Sequence, residues 1–391
     1  MKYNFDEIID RKENYSAKFE EAELHYGTND IIPLWIADMD FKTAQPIIDA
    51  IIKRANQGIF GYTYRPDEYF ECIAEWQEKR NSYKPKTSLM AFALGVVPVM
   101  RMILQMFTNI KDKVLITTPV YHPFFDIILN TNREFVNAPL VKSGDTYEMD
   151  FDLIEKKLKT GIKLFILCNP HNPIGKVWSR KELTTLGELC LKYNTKVISD
   201  EIHSDLIYKG HTHIPFASLA EEIEKITYTM IAPSKTFNLA GLQSATAIFP
   251  NLEEKEAYVQ NLKDMDIARN NCFSLVASMA AFKHGEEWLE QLIPYIEGNM
   301  QFISDYCKTN IPQLKPNSPQ ASYLSWINAS DLKMTDEDLK KFFVEKAFVG
   351  LSNGSEFGEG GSGYVRLNAA APQKIIEKAL QQIEVAIKNI L

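Results

Sequence analysis

The sequence predicts an α/β protein. It consists of a large domain with a mostly parallel central sheet between helices, plus a smaller α+β domain. Three observations carry this reading. Between residues 113 and 249 short apolar runs recur, each bounded by turn residues and separated by helical stretches. That alternation is the pattern of a parallel sheet covered by helices. From about Glu286 it gives way to long helical stretches and isolated strands. Finally, no Gly/Ser- or Pro-rich linker and no repeat divides the 391 residues, so two parts must be joined by short connections or helices.

In chain order, Leu94–Met106 (LGVVPVMRMILQM) reads as a glycine leading into a helix, with Pro98 near its first turn. Lys113–Thr117 (KVLIT), Lys163–Leu167 (KLFIL), Lys196–Ser199 (KVIS), Thr227–Ile231 (TYTMI) and Ser244–Phe249 (SATAIF) read as strands. Arg180–Tyr193 is a helix with Leu183, Leu186, Leu189 and Cys190 on one face. Further helices are expected at Glu286–Cys307 and Asp336–Lys346, and strands at Tyr323–Ile327 and Tyr364–Asn368. The N-terminal arm, up to about Gln45, shows no sheet partner of its own and is assigned to the second lobe. The expected division is a large domain at 46–285 and a small one at 1–45 and 286–391.

Composition narrows the function. Lys plus Arg number 43 and Asp plus Glu 51, a net charge of −8. That balance argues against nucleic-acid binding, which needs a basic face. The five cysteines (Cys72, Cys168, Cys190, Cys272 and Cys307) are scattered and include no CxxC pair. A disulfide framework and a metal site are therefore not expected, and a reducing cytoplasm suits the chain. The start, MKYNFDEIIDRKENYSAKFEE, has no apolar signal core. No apolar run approaches the ~18 residues needed for a membrane span.

Several segments that follow strands carry polar residues with two readings each. Lys235 in APSKTFNLAGL is an ordinary loop lysine, or an amine held at a strand end to form a Schiff base. Asp200 in ISDEIHSD caps a turn, or is a buried carboxylate partner of a pyridinium nitrogen. NPHNPIG (Asn169–Gly175) is a tight turn, or a rigid mount from which Asn172 donates to a phenolate oxygen. Gly95 opens an ordinary buried helix, or a helix N-terminus that binds phosphate. Tyr121 in PVYHPFF is core, or stacks on a cofactor ring. Arg366 in YVRLN is a solvent-side strand residue, or a bidentate clamp for a substrate carboxylate. Each sign is weak alone, and their joint order along the chain is the stronger signal. All the loops that follow strands should crowd one edge of the sheet.

That ordered set resembles the pyridoxal-phosphate enzymes of fold type I, in the class I/II aminotransferase group. TPVYHPF, NPHNPIG, ISDEIHSDL and APSKTFNLAGLQ are most similar to its cystathionine β-lyase (cysteine-S-conjugate β-lyase) branch, which includes a maltose-regulon modulator. WIADMDF (Trp35–Phe41) and SNGSEFGEGGSGYVRLN (Ser352–Asn368) are similar to that branch too. The resemblance implies pyridoxal 5'-phosphate as cofactor. Lys235 matches its Schiff-base lysine, Asp200 the partner of its ring nitrogen, and Asn172 the donor to its 3-oxygen. Tyr121 matches the stacking ring. Gly95, Val96 and Val97 match the phosphate loop, with Ser234 as a further phosphate ligand. His203 stands where a tyrosine usually touches the 3-oxygen. Tyr62, with Tyr64 as a rival, matches a tyrosine that reaches the neighbouring subunit's phosphate. Arg366 matches the α-carboxylate clamp, and Ala37 and Asp38 fall on the substrate side.

The resemblance also implies a small amino-acid substrate and a homodimer with shared active sites. Gln243 replaces the usual phosphate-contacting arginine, Ala232 a usual serine, and Asn353 the branch's proline. The activity implied is α,β-elimination from a sulfur amino acid such as cystathionine, cystine or a cysteine S-conjugate, giving thiol, pyruvate and ammonia. An aminotransferase and a regulatory binding protein of the same fold are the alternatives.

Overall fold

The computed structural model describes residues 1–12 and 14–390. Its centre is a seven-stranded sheet. In chain order the strands are β1 (Met90–Ala93), β2 (Lys113–Ile116), β3 (Glu134–Asn137), β4 (Ile162–Cys168), β5 (Lys196–Asp200), β6 (Thr227–Ile231) and β7 (Ala245–Ile248). Their spatial order is β1-β7-β6-β5-β4-β2-β3. The pairs from β6 across to β3 are all parallel, and β7 alone runs against its neighbours. The sheet is thus mostly parallel, as expected.

Two strands, β1 (MAFA) and β3 (EFVN), escape the sequence reading. Both are short edge strands with at most one β-branched residue, and pairing rather than propensity makes them strands.

Burial explains why the strands read as continuous apolar runs. Val114, Ile116, Leu164, Ile166 and Ile198 pack into one core, under helix α3 (Val96–Phe107). Their neighbours Leu115, Phe165, Leu167 and Val197 pack into a second core on the other face. Leu183, Leu186 and Cys190 of a later helix, α4 (Arg180–Lys192), cover that second face. The period of two thus sends successive residues to opposite faces, both dry. The start of α4 is set locally by a capping box, in which Ser179 and Glu182 satisfy each other's backbone N–H groups.

A third core joins residues from both ends of the chain with three helices of the middle. These are α1 (Gln45–Ala55), α2 (Glu68–Asn81) and α5 (Cys272–His284). It also takes in two long helices, α6 (Glu286–Asn310) and α7 (Gln373–Lys388). The strands expected to be isolated pair with each other in an antiparallel sheet. That sheet has the order β8 (Lys315–Pro316), β9 (Leu324–Asn328), β11 (Tyr364–Asn368), β10 (Ser352–Asn353).

Asp336–Lys346 is α-helical only to Lys341 and closes with a π turn. The N-terminal arm does find a sheet partner, contrary to expectation: Ile32–Pro33 pairs in parallel with Val349–Gly350. The match is two residues long, too short for any sequence pattern to mark. Among the described residues no helix is long and apolar enough to cross a membrane.

The Asn169–Gly175 turn depends on its glycine. Gly175 has φ +65°, and an added Cβ would lie 2.6 Å from Pro319 Cβ and 2.9 Å from Ala321 O. Gly175→Ala is therefore expected to destabilise the fold by about 1–3 kcal/mol. A denaturant titration with an unchanged midpoint would contradict this.

Candidate active site

The carboxyl ends of the parallel strands converge on one cavity of about 220 Å³. This is where an open α/β sheet binds ligands. β1 delivers Gly95 and the first turn of α3, and β2 delivers Tyr121 after the cis Thr118–Pro119 bond. β4 delivers Cys168 and, through the cis Asn169–Pro170 step, Asn172. β5 ends on Asp200, with Ile202 and His203 just beyond, and β6 leads to Ser234 and Lys235. β7 runs the other way, so its beginning lies at this edge and adds Gln243 and Ser244. The loops brace one another: the Tyr121 N–H donates to Asn172 O at 3.1 Å, and Val120 N–H to Phe357 O at 2.9 Å.

Burial controls the charges. The Asp200 carboxylate is buried and takes a hydrogen bond from Ile202 N–H at 3.2 Å. Desolvation pushes its pKa up to about 7, against the opposing pull of that hydrogen bond and of Lys235. Burial likewise pulls the Lys235 amine down to about 8, with Arg366 adding to the effect while Asp38 and Asp200 oppose it. The amine donates to Ala37 O at 2.6 Å.

His203 is pulled down to about 3 by burial and by the cations Lys235 and Arg366, so it is neutral. Its Nδ1 lies 3.3 Å from Ser322 Oγ. If that nitrogen accepts, Nε2 carries the proton and can donate.

Arg366 is buried, which excludes a solvent-side strand position. Its guanidinium lies 4.9 Å from the Phe357 ring centroid. It donates to Asn172 Oδ1 (3.3 Å), Trp35 O (2.9 Å) and Ser352 Oγ (3.1 Å). Its Nε is buried without a partner among the described residues. Because Asn172 Oδ1 accepts from Arg366, its Nδ2 remains as the donor for the cavity. At the other end, the N–H groups of Val96 and Val97 open the 12-residue α3 and lack acceptors within the helix. They make a site for an anion.

The structure thus brings Gly95, Val96, Val97, Tyr121, Asn172, Asp200, His203, Ser234, Lys235 and Ala37 around one cavity, with Arg366 bonded to Asn172 at its side. It does not bring Asp38 or Tyr62 there. Both oxygens of the Asp38 carboxylate are held by Arg11 and Lys18. Tyr62 is 96% exposed and Tyr64 is exposed as well; both line a surface groove with Arg269.

The sequence reading passed over Cys168, Ser244 and Tyr323. Cys168 had the same sign as Asp200, being the last residue of a strand before a chemistry-bearing turn. Ser244 is fixed by hydroxyl contacts to Tyr69 (3.1 Å) and Ser278 (3.2 Å). Tyr323 donates to Ala37 O at 2.9 Å. The contacts of Ser244 and Tyr323 bridge distant parts of the chain and leave no local pattern.

The profile of the family "Aminotransferase class I and II" matches residues 29–383. The chain is 38% identical over 385 residues to cystathionine beta-lyase PatB of Bacillus subtilis, covering 98% of this chain and 100% of that one. Among solved structures, a pyridoxal-phosphate-bound chain from Clostridium difficile, provisionally called an aminotransferase, superposes with TM-score 0.97 at 48% identity. That match covers 99% of this chain and 100% of the other. Cystalysin from Treponema denticola, which contains pyridoxal 5'-phosphate, superposes with TM-score 0.97 at 32% identity over the whole of both chains.

The raised Asp200 pKa makes stability depend on pH. The carboxyl titrates near ~3.9 when unfolded and at about 7 when folded. The folded state therefore holds the extra proton between those values. Its contribution is complete below the unfolded pKa and is lost as pH rises through the folded one. Cofactor-free protein should lose on the order of 2–4 kcal/mol from this group between pH 4 and pH 8. Asp200→Asn should flatten that part of the curve. Denaturant titrations across this range with parallel pH profiles would refute it.

Proposed function

The chain belongs to the aminotransferase class I and II family, and from that premise we propose that it is a pyridoxal-phosphate-dependent carbon–sulfur β-lyase. The observation that carries this reading is the cavity that the half-buried Lys235 amine shares with the buried Asp200 carboxylate. The donor set fits the cofactor along its length. The N–H groups of Val96 and Val97, with Ser234 Oγ, suit the phosphate. Asn172 Nδ2 and His203 Nε2 suit the 3-oxygen, Tyr121 the ring face, and Asp200 the ring nitrogen. Apart from Lys235, the cavity lining holds no cation, so helix N–H groups and hydroxyls take the place of the guanidinium that Gln243 replaces.

Bound there, the cofactor supplies an aldehyde for the substrate amine and an electron-poor ring that accepts the charge left at Cα when its proton departs. The protein does the rest. Asp200 would lie against the ring nitrogen as an anion and would keep it protonated. Arg366 orients the substrate through its α-carboxylate, for which Nε and Nη1 are suited. Lys235, with its pKa near 8, is partly neutral at physiological pH and removes the Cα proton. Loss of the sulfur group from Cβ, followed by hydrolysis, yields a thiol, pyruvate and ammonia. The substrates in this reading are cystathionine, cystine or cysteine S-conjugates.

The setting proposed is a cytoplasmic homodimer. Ile59, Phe60, Tyr62 and Tyr64 form a run of exposed large apolar residues, a patch that a second copy would cover. The cysteines, all unpaired, suit a reducing compartment. The 48% identity to a chain provisionally called an aminotransferase favours transamination as the second reading.

With cystathionine and no keto acid, the lyase should form pyruvate and thiol over many turnovers. Release of no thiol, with one equivalent per site converted to the keto acid that keeps its sulfur, would instead indicate transamination. Arg366→Ala should raise KM for the amino acid about 10- to 100-fold, the loss of a charge-assisted hydrogen bond or two. An unchanged KM would remove the clamp from the scheme. Mixing inactive Lys235→Ala and Tyr62→Phe variants should restore part of the activity if Tyr62 acts across the subunit boundary; no recovery would confine it to its own chain.

A further inference from the structure

The peptide Trp35–Met39 touches both groups that the proposed reaction must hold apart at a set distance. Ala37 O accepts from Lys235 Nζ (2.6 Å) and from Tyr323 OH (2.9 Å). Two residues earlier, Trp35 O accepts from Arg366 (2.9 Å) and from Ser352 Oγ (3.1 Å). The peptide is tied down on both sides. Asn368 Nδ2 donates to Ile36 O (2.7 Å) and Asp38 O (2.5 Å). Asn238, three residues after Lys235, accepts from Met39 N–H (3.0 Å) and donates to Met39 O (2.9 Å) and Phe41 O (3.0 Å).

What holds this peptide is a charge cluster from the arm. Lys18 Nζ meets Asp38 Oδ1 at 2.7 Å and Asp40 Oδ1 at 3.0 Å, and Arg11 meets Asp38 Oδ2 at 2.7 Å and Asp40 Oδ1 at 2.5 Å. Lys18 Nζ also donates to Asp38 O, and Lys18 O accepts from the Trp35 indole. Two cations face two anions, and the Lys18 side chain is wholly buried. A buried pair of this kind adds little net stability against an apolar alternative. What it provides is one defined geometry, because any other leaves a charge unpaired in a dry site.

We infer that Trp35–Met39 is a positioning strap, locked by Arg11, Lys18, Asp38 and Asp40, that fixes the Lys235 amine relative to the Arg366 guanidinium. Lys18 and Arg11 are positioning residues: they act on the cavity only through the strap. The inference rests on the reading of Lys235 as base and Arg366 as carboxylate clamp. A substrate held at its carboxylate presents its Cα proton to the amine only if that separation is right, and a displacement of about 1 Å can lower rate about 100-fold.

The charged groups around Lys235 are Asp38 and Lys18 from the arm, Asp200 from β5 and Arg366 from β11. His203, Tyr121 and Tyr323 stand nearby as neutral groups. Burial and the two cations push the amine pKa down, and the two carboxylates push it up.

Lys18→Met tests the strap. It removes one cation and frees the peptide. In the holoenzyme without substrate, the pH midpoint of the cofactor absorption band should move up by on the order of one unit. KM for the amino acid should rise several-fold while kcat falls. Lys18→Arg should restore both. A merely structural lysine would lower the melting temperature and leave midpoint and KM alone, and that result in folded Lys18→Met protein would overturn the inference. Should Lys18→Met fail to fold, Asn368→Ser cuts two bonds to the strap without changing charge. It should raise KM and lower kcat, and wild-type values would again overturn the strap. A band that survives Lys235→Ala is a separate result: it would overturn the underlying reading, and the strap with it.

Discussion

An amine and a carboxylate that line one cavity, each hydrogen-bonded to something other than its counterpart, set the terms for the molecule. Lys235 rests on Ala37 O and Asp200 on Ile202 N–H. Both have lost part of their solvation, and desolvation drives each towards its neutral form. The site is therefore one in which a ligand with a basic ring nitrogen and an aldehyde is stabilised at both ends. The protein bears the desolvation of these groups, and the bound cofactor offsets it.

The sheet makes such a site possible. Parallel strands end together, and a parallel sheet dry on both faces forces its polar residues to the strand ends. Asp200 is the last residue of β5 and Cys168 the last of β4, and the two are register partners. Helix α3 adds unpaired N–H groups at the same edge. An acid, an amine and an anion site thus come together without any long-range search by their side chains.

The small sheet and the arm complete what the strand ends cannot supply. Arg366 comes from β11, and its position depends on Trp35 and Ser352. Ala37 comes from an arm whose own sheet pairing is two residues long. The arm is held instead by side chains: Asn238, Asn368 and the Arg11–Lys18–Asp38–Asp40 cluster. Lys235 and Arg366 are thereby tied to the two ends of the chain as well as to its middle.

The amino-acid order alone was enough for the α/β class, the mostly parallel sheet and most cavity residues. Apolar period and turn chemistry are local, and the residues of interest sit in turns directly after strands. Lys235, Asp200, Asn172 and Tyr121 each kept a plain local reading as well, and it was their joint order, with the family resemblance it carries, that grouped them. Other features are carried by no local pattern. The antiparallel course of β7, the edge strands β1 and β3, the hydroxyl contact of Tyr323 and the capture of the Asp38 carboxylate by Arg11 and Lys18 all depend on partners distant in the chain. WIADMDF pointed to Asp38 as a substrate-side residue, whereas folding turns its carboxylate into the charge cluster and leaves the Ala37 carbonyl to face the amine. The physical reason is that a buried charge takes whichever opposite charge the packing brings within reach, and only the packed chain determines which one that is.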